Sequence, residues 1–538
     1  MIRNAEHLRE LFKKAKPDYV CLVTPPLPSS PAYVQLRLWQ LRLGGRLSLF
    51  WRSYLSLQAP YRFTAACSGQ GALGEVLALI KQFTAGRLVT EARLITALRG
   101  QGVWPGEIAQ ALDLGVYRAE LFQFPGFSHV QWGGCICTRC SGEDISEEPC
   151  AVCGRPDCLI CLGCSSLGPI RGCDTFITSA SPVISTPRHP IELQLSYDLT
   201  PAQRGASTEL LHFWRGEEQR ALVWAACGAG KTEVTFPLLE RALNEGAQVL
   251  FAIPRRDIVR EMAERLRSAF PAVTVAAHYG GQPRLAPGNL VVATTHQVLG
   301  FYRRFQLAVL DEVDAFPYQG SEMLRFGLHR ALAEQGRLVE MTATPSGRRN
   351  YARIITIPAR YHGHPLPEPR LLAHPLPHWD QLQAEHIPPF VVQLLQAAAP
   401  WLVFAPTIKA CTKLRVVLGQ ALKKPVGICH SKKSGRAAII ERFRRGQLDV
   451  LVTTSVLERG VNFPGVQVLI LYADHNLYNV STLVQIAGRV GRAADYPHGE
   501  VIFVGSRLSA EMKKALRLIR TLNKEARAKG LLINEAGA

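Results

Sequence analysis

The stretch "ALVWAACGAGKTEVTF", residues 221–236, constrains this chain more than any other. A short apolar run that reads as a buried strand, residues 221–224, breaks into small residues and glycines, and a helical pattern starts at Lys231. Gly228 and Gly230 let the backbone curl so that successive N–H groups point into one concavity. The helix that follows aims the positive end of its dipole at the same place. Lys231 can reach the outer phosphates of a nucleotide, and the Thr232 hydroxyl can hold Mg²⁺. The usual form of such a loop begins with Gly; here Ala225 stands in that place, six positions before Lys231. These residue types predict a phosphate cradle with ATP and Mg²⁺ as its ligands.

Behind the cradle, short apolar strands alternate with helical stretches: "QVLFAIP", "LVVATT", "LAVLDEVD" and "RLVEMTATP". The alternation predicts a parallel sheet with helices on both faces, where ligands sit at the carboxyl ends of the strands. Asp311 and Glu312 follow one such strand. Asp311 can hold Mg²⁺, and Glu312 can orient and deprotonate an attacking water. A Pro- and His-rich segment, residues 357–389, ends this lobe and is expected to be the hinge. The alternation restarts with "WLVFAPT", "PVGICHS", "LDVLVTTSVLERG" and "VQVLILY", without a second cradle. "QIAGRVGR", residues 485–492, follows at helical spacing and brings Gln485, Arg489 and Arg492. Arginines so spaced can reach across a cleft to a γ-phosphate, where such a finger is worth about 10³–10⁵ in rate. Ahead of the cradle, "YDLTPAQ" puts Gln203 where an amide could read an adenine edge.

The 538 residues allow three or four domains at about 150 residues each. With 47% hydrophobic and 20% charged residues the chain is globular, not disordered. A net charge of +19 attracts polyanions, so nucleic acid or an anionic membrane face is the expected partner. No stretch reaches the roughly 20 uninterrupted apolar residues of a membrane span, and Arg9, Lys13 and Lys14 interrupt the N-terminus. A cytoplasmic location is expected.

Nine of the fourteen cysteines fall between Cys135 and Cys173, which argues for metal ligation rather than a disulfide framework. Cys137 with Cys140, Cys150 with Cys153, and Cys161 with Cys164 are competent half-sites, because two intervening residues let both sulfurs face one ion. Eight ligands could make two Zn²⁺ sites with Cys135 spare. Spacing does not give the pairing; the preferred one joins Cys137, Cys140, Cys161 and Cys164, leaving Cys150, Cys153, Cys158 and Cys173 for a second site. The zinc is expected to be structural. An iron–sulfur cluster stays open, since thiolates alone do not select the metal.

Residues 1–130 hold helical patterns and proline breaks without assignable chemistry. Within them, residues 90–114 read as two short helices about a glycine turn, a plain hairpin rather than a helix-turn-helix. Residues 131–178 form the zinc module, a linker containing Pro and Ser follows, and the ATP-binding lobe spans 190–356. The hinge takes 357–395 and the second lobe 396–508. The last stretch, 509–538, is a basic amphipathic helix expected to pack on the second lobe.

In order along the chain, "AACGAGKT", "AIPRR", "ATTHQVL", "DEVD", "TATP", "LVFAPT", "TTSVLERGVNFPGV" and "QIAGRVGR" resemble the motifs of superfamily 2 helicases. A narrower resemblance is to the ComFA family, ATP-driven DNA translocases of bacterial transformation. It rests on the cysteine module placed before the helicase core, and on "CLGCSSLGPIRGC", "IPARYHGHPLPEP" and "LNKEARAKG". The resemblance implies an α/β fold of two tandem RecA-like lobes, preceded by a Cys-rich zinc module and a mainly helical N-terminal region. It implies that Lys231 and Thr232 bind phosphate and Mg²⁺, that Asp311 and Glu312 coordinate metal and activate water, and that Arg489 and Arg492 are fingers. Arg255, Thr294, Thr295, Thr407, Thr453 and Thr454 lie in motifs that contact the DNA backbone in such enzymes, and Thr342 to Thr344 would couple hydrolysis to lobe movement. Single-stranded DNA, the competence membrane channel and a phosphoribosyltransferase-like competence protein are the implied partners. A homo-oligomer and a peripheral position at the inner membrane face stay open. Cys227 departs from the Thr expected in the family's cradle. Near Lys231 and a helix N-terminus its thiol is expected to be acidic, and so sensitive to oxidants and alkylating agents unless ATP is bound. The alternatives are a PriA-like replication-restart helicase and a zinc-based DNA-binding scaffold with a decayed ATPase.

Overall fold

The computed structural model describes residues 70–129, 134–180, 186–280, 288–345, 351–396, 400–458 and 463–533. More than half of the N-terminal region, the linker residues 181–185 and residues 459–462 of the "VLERGVNF" motif lie outside the described residues.

The described chain begins with α1 (Gln70–Thr84), β1 (Val89–Thr90), α2 (Glu91–Arg99), α3 (Pro105–Tyr117) and β2 (Leu121–Pro125). Two hairpins follow, β3 (Phe127–His129) with β4 (Cys135–Cys137) and β5 (Ile145–Glu148) with β6 (Cys158–Cys161). β7 (Thr175–Ser179) then returns between β1 and β2 to complete an antiparallel three-stranded sheet. Phe124 lies opposite Phe176, and Leu121 opposite Ser179. The cysteine segment is therefore an insertion between β2 and β7, where the sequence reading drew a boundary at 130. The expected helix pair at 90–114 is α2 and α3, separated by a turn in which Gly102 takes φ +86.

The first lobe runs α4 (Pro201–Arg215), β8 (Arg220–Ala225), α5 (Phe236–Asn244), β9 (Val249–Ile253), α6 (Arg256–Ala269), β10 (Val275–His278) and β11 (Leu290–Thr294). It continues through α7 (Thr295–Val298), β12 (Phe305–Leu310), α8 (Glu322–Ala331), β13 (Leu332–Thr342) and β14 (Arg353–Ile357). Its seven strands are all parallel, in the order β10-β11-β9-β12-β13-β8-β14. Strands such as "VLFAI" and "LVVAT" are buried at every position because helices cover both faces of the sheet.

The second lobe runs β15 (Arg370–Ala373), α9 (Pro389–Gln396), β16 (Trp401–Phe404), α10 (Ile408–Leu422), β17 (Val426–Cys429), α11 (Arg436–Arg444) and β18 (Val450–Thr453). β19 (Gln467–Leu471), α12 (Val480–Ala487), β20 (Val501–Gly505) and α13 (Ala510–Ala528) complete it. Its six parallel strands lie in the order β15-β20-β19-β16-β18-β17. The two lobes are RecA-like. The expected hinge is narrower than the Pro- and His-rich segment: β14 still belongs to the first sheet, and β15, four residues set among prolines, is an edge strand of the second. α13 buries Met512, Ala515, Ile519 and Leu522 against the second lobe and turns Lys513, Arg517, Lys524 and Arg527 outward.

The cysteine insertion is not a free appendage. Cys137, Cys140, Cys161 and Cys164 share one apolar cluster with Leu299, Phe301, Leu324 and Leu328 of the first lobe. Arg330 of α8 fastens the contact, donating to the Thr138 carbonyl at 2.6 Å and the Leu299 carbonyl at 2.5 Å.

Candidate functional site

β8 delivers the chain to a loop in which Gly228 and Gly230 take φ +84 and +69, conformations that a side chain would strain. A 3-10 turn at Glu233–Thr235 precedes α5, so the helix expected from Lys231 opens tightly and becomes regular only at Phe236, with Pro237 in its first turn. The Thr232 hydroxyl makes no capping bond. Lys231 Nζ lies 2.6 Å from Asp311 Oδ1. Burial opposes the Lys231 ammonium, but Asp311, Glu312 and Asp314 hold its pKa above the usual lysine value. Burial, with Glu312 beside it, pushes the Asp311 carboxyl upward against the attraction of Lys231. Glu312 takes φ +57, an uncommon conformation for a residue with a side chain, and its N–H donates to Asp311 Oδ1 at 2.7 Å.

Gln203 stands in the first turn of α4, in a capping box with Thr200. Its Oε1 accepts from Thr200 N at 2.8 Å, and its Nε2 donates to the Ala229 carbonyl at 2.9 Å. One end of the amide caps its own helix and the other braces the cradle, so reading an adenine edge requires exchanging one of these bonds.

Across the cleft, α12 ends at Ala487, and Arg489 and Arg492 sit in the turn behind it, not on a helix as their spacing suggests. Gly491, at φ +68, breaks the helical path. Arg489 is only 2% exposed and donates through Nε to the Glu458 carbonyl at 2.8 Å; burial, with Arg492 adding to it, pushes its pKa far below the arginine range. Cys227 is 6% exposed, its Sγ 3.8 Å from the Val484 carbonyl and 3.6 Å from Gln485 Oε1. The expected reactive thiol is thus a buried contact between the lobes, shielded by the second lobe itself. Asp314, the last residue of "DEVD", accepts from Thr344 Oγ1 at 2.8 Å and from Ser481 Oγ of α12. Thr344 N in turn donates to Thr342 Oγ1 at 2.9 Å. The "TATP" segment therefore meets the second lobe through one carboxylate.

The DNA-contact candidates all stand at carboxyl ends of strands, those of the first lobe on the edge that carries the cradle. Arg255 begins α6 and pairs with Glu458 of the other lobe at 3.4 Å. Thr294 and Thr295 are buried at the start of α7, the Thr295 hydroxyl without a hydrogen-bond partner among the described residues. Thr407 caps α10 by accepting from Ala410 N at 3.1 Å. Thr453 is fully buried and gives its hydroxyl to the Cys429 carbonyl at 2.9 Å, while Thr454 is buried beside it. Lys432, Lys433 and Arg436, exposed beyond β17, were not among the candidates.

The eight candidate cysteines gather in two groups, Cys137, Cys140, Cys161 and Cys164 in one and Cys150, Cys153, Cys158 and Cys173 in the other. A tetrahedral Zn²⁺ with ~2.3 Å bonds needs sulfurs about 3.8 Å apart. Cys137 and Cys164 are 3.8 Å apart, Cys140 and Cys161 3.5 Å, Cys161 and Cys164 3.5 Å, and Cys150 and Cys173 3.8 Å. Both groups fit a single ion, and the sulfurs are too close to enclose an iron–sulfur cube. Cys135 stands apart, 3.2 Å from His129 Nδ1. Spacing gave no hint of Arg139, 7% exposed, which donates to Cys164 Sγ at 3.2 Å and 3.1 Å. Hydrogen bonds from Cys137 and Cys140, then the Arg139 guanidinium, hold the Cys164 thiol well below the usual thiol range.

The DEAD/DEAH box helicase family matches residues 200–353, and the helicase conserved C-terminal domain matches residues 388–494. Competence protein ComFA of Bacillus subtilis (strain 168) is 36% identical over 350 residues, 62% of this chain and 74% of that protein. Competence protein ComFA of Streptococcus pneumoniae (strain ATCC BAA-255 / R6) is 33% identical over 404 residues, 73% of this chain and 91% of that protein. The chain belongs to the ComFA family. ATP-dependent DNA helicase RecG of Streptococcus pneumoniae serotype 4 is a more distant relative, 25% identical over 343 residues, which cover 56% of this chain and 48% of that protein. As a ComFA protein the chain is an ATP-dependent enzyme of helicase superfamily 2, with a DNA helicase or translocase role in competence and a domain that uses nucleotide with Mg²⁺. Among the described residues no helix is long and apolar enough to cross a membrane.

Proposed function

We propose that the enzyme is a single-stranded DNA translocase that draws transforming DNA into the cytoplasm, working peripherally at the inner face of the membrane. The observation that carries this reading is the meeting of the cradle with the C-terminal end of α12, just ahead of the 488–492 turn, Cys227 against Val484 and Gln485. Lys231 leaves Asp311 for the outer phosphates as nucleotide enters, which frees Asp311 to join Thr232 in holding a metal ion. Mg²⁺, when bound there, neutralises phosphate charge. Glu312 aligns the attacking water and takes its proton. Arg489 and Arg492 stabilise the charge that develops on the γ-phosphate, with Gln485 beside them. Asp314 relays the state of the site to Thr344 and Ser481, so closure and reopening of the lobes follow hydrolysis. Arg255, Thr294, Thr295, Thr407, Thr453 and Thr454 border the strand's path, and alternating grip by the two lobes advances it. Zinc in either cysteine group would cross-link the insertion, and zinc in the group of Cys137, Cys140, Cys161 and Cys164 would keep it seated on the first lobe. A competence membrane channel and a phosphoribosyltransferase-like competence protein are the proposed partners. No observation favours the replication-restart reading.

The test is the ATPase rate with and without single-stranded DNA, for the native chain and Glu312→Gln. Stimulation by DNA that disappears in the variant, with a kcat loss of at least about 10²-fold, is expected. A native rate indifferent to DNA would remove the translocase reading.

A further inference from the structure

The chain leaves the first lobe through "IPARYHG", and three consecutive side chains of this segment hold the arginine-bearing turn of the other lobe. Arg360, 3% exposed, donates through Nε to the Cys227 carbonyl of the cradle at 3.1 Å. The same guanidinium donates through Nη1 to the Gly491 carbonyl and, more weakly, through Nη2 to the Gly488 carbonyl at 3.5 Å. Tyr361 Oη donates to the Arg492 carbonyl at 3.3 Å, and His362 Nε2 lies 3.0 Å from the Gly491 carbonyl. The cradle end of the segment is fixed too, since Ala226 N donates to the Ile357 carbonyl at 2.8 Å.

Two features mark this as a built contact. Among the described residues no carboxylate is paired with Arg360, and its charge is met by carbonyls alone, an expensive way to bury a cation unless the position matters. Glycines line it on both sides: Gly228 faces the guanidinium, and a Cβ on Gly491 would stand 2.7 Å from Arg360 Nη1. Only a planar fork of donors can grip carbonyls on two walls at once; a lysine ammonium cannot hold the same geometry.

We infer that Arg360 is a positioning residue for ATP hydrolysis, holding the 488–492 turn at a set distance from the phosphate cradle so that Arg489 and Arg492 arrive in register when the lobes close. This rests on the finger role proposed above for those two arginines. Finger chemistry is sensitive to displacements of about 1 Å, which cost about 10²-fold in rate. Arg360 therefore belongs to the hydrolytic step without touching the reacting atoms.

The test compares kcat and KM for ATP, with single-stranded DNA present, in the native chain, Arg360→Ala, Arg360→Lys, Arg492→Ala and the double variant Arg360→Ala/Arg492→Ala. Arg360→Ala is expected to lower kcat about 10²-fold with KM changed less than about 3-fold. Arg360→Lys should recover only part of the loss. Because Arg360 acts through the finger, the double variant should be no more than about 2-fold slower than Arg492→Ala alone. Millimolar guanidinium should restore Arg360→Ala in part, which a misfolded chain would not permit. If Arg360→Ala melts early, Arg360→Lys and the guanidinium response decide the matter. A native-like kcat in Arg360→Ala, a loss that multiplies with that of Arg492→Ala, or a rise in KM alone would each overturn the inference. A native chain without DNA-stimulated ATPase would instead count against the translocase reading.

Discussion

Cys227 and Gly488 show how much a single contact between the lobes can decide. Gly488 has an ordinary helical conformation, so no backbone strain demands glycine there. A Cβ at that position would lie 2.4 Å from Cys227 Cβ and 2.8 Å from its sulfur, whereas real carbon atoms do not approach so closely. Gly488→Ala should therefore leave the melting temperature near the native value and reduce DNA-stimulated ATPase at least about tenfold, by holding the lobes apart. Cys227→Gly removes the obstructing atoms, and the double variant Gly488→Ala/Cys227→Gly should regain most of the rate. Steady-state kinetics on the three variants checks this; a Gly488→Ala enzyme at full speed would show that closure tolerates the extra methyl. In the sequence Cys227 was conspicuous as a departure at the cradle, but its neighbour stands in another lobe. Local chemistry suggested an acidic, reactive thiol, whereas long-range packing makes it a buried spacer. Asp314 and Arg360 were hidden for the same reason: each lay inside a quoted motif, and each acts on groups of the other lobe.

At the scale of elements, the cysteine hairpins were legible through their half-site spacing, and the grouping of the eight sulfurs followed the preferred pairing. What spacing could not reveal is the charge around them. Four thiolates with one divalent ion leave a net charge of −2 in an apolar cluster, and Arg139 faces it through two N–H groups on Cys164. The group around Cys150 lies at the outer hairpin, with Cys153 and Cys173 only partly buried. Two zinc ions per chain are expected by metal analysis of the purified protein, with Cys137→Ala and Cys150→Ala each losing one. Arg139→Ala should weaken retention at the inner group about 10–100-fold in chelator competition, the usual cost of removing a partner of the ligands, while the outer ion is released as before. Equal release from both groups would show that the guanidinium serves packing alone. The same limit of local reading hid β15, a four-residue edge strand among prolines, and the pairing of β2 with β7 across the whole insertion.

On the scale of the whole molecule, the alternation of apolar strands and helices made two parallel-sheet lobes legible, while the distribution of charge emerges only once the domains are laid out. The chain has a net charge of +19, yet residues 70–180 carry eleven Asp and Glu against eight Lys and Arg. The helical domain with its cysteine insertion is thus acidic, and bound thiolates would make it more so. A grip on phosphate belongs to the lobes, whose candidate threonines and whose exposed Lys432, Lys433 and Arg436 stand along the carboxyl edges of the sheets. Each single-strand phosphate neutralised contributes about −0.7 to the slope of log K against log salt. Replacing both Lys432 and Lys433 by Ala should therefore flatten that slope by about 1.4 and weaken binding similarly for all base sequences. Replacing the exposed Arg93, Arg99 and Arg118 of the acidic domain by Ala should leave the slope unchanged. Fluorescence anisotropy of a labelled oligonucleotide across a salt series measures both. A slope that falls with the second set and not the first would move the DNA path onto the helices before the lobes, where an acidic surface would then have to be bridged by something other than direct phosphate contact.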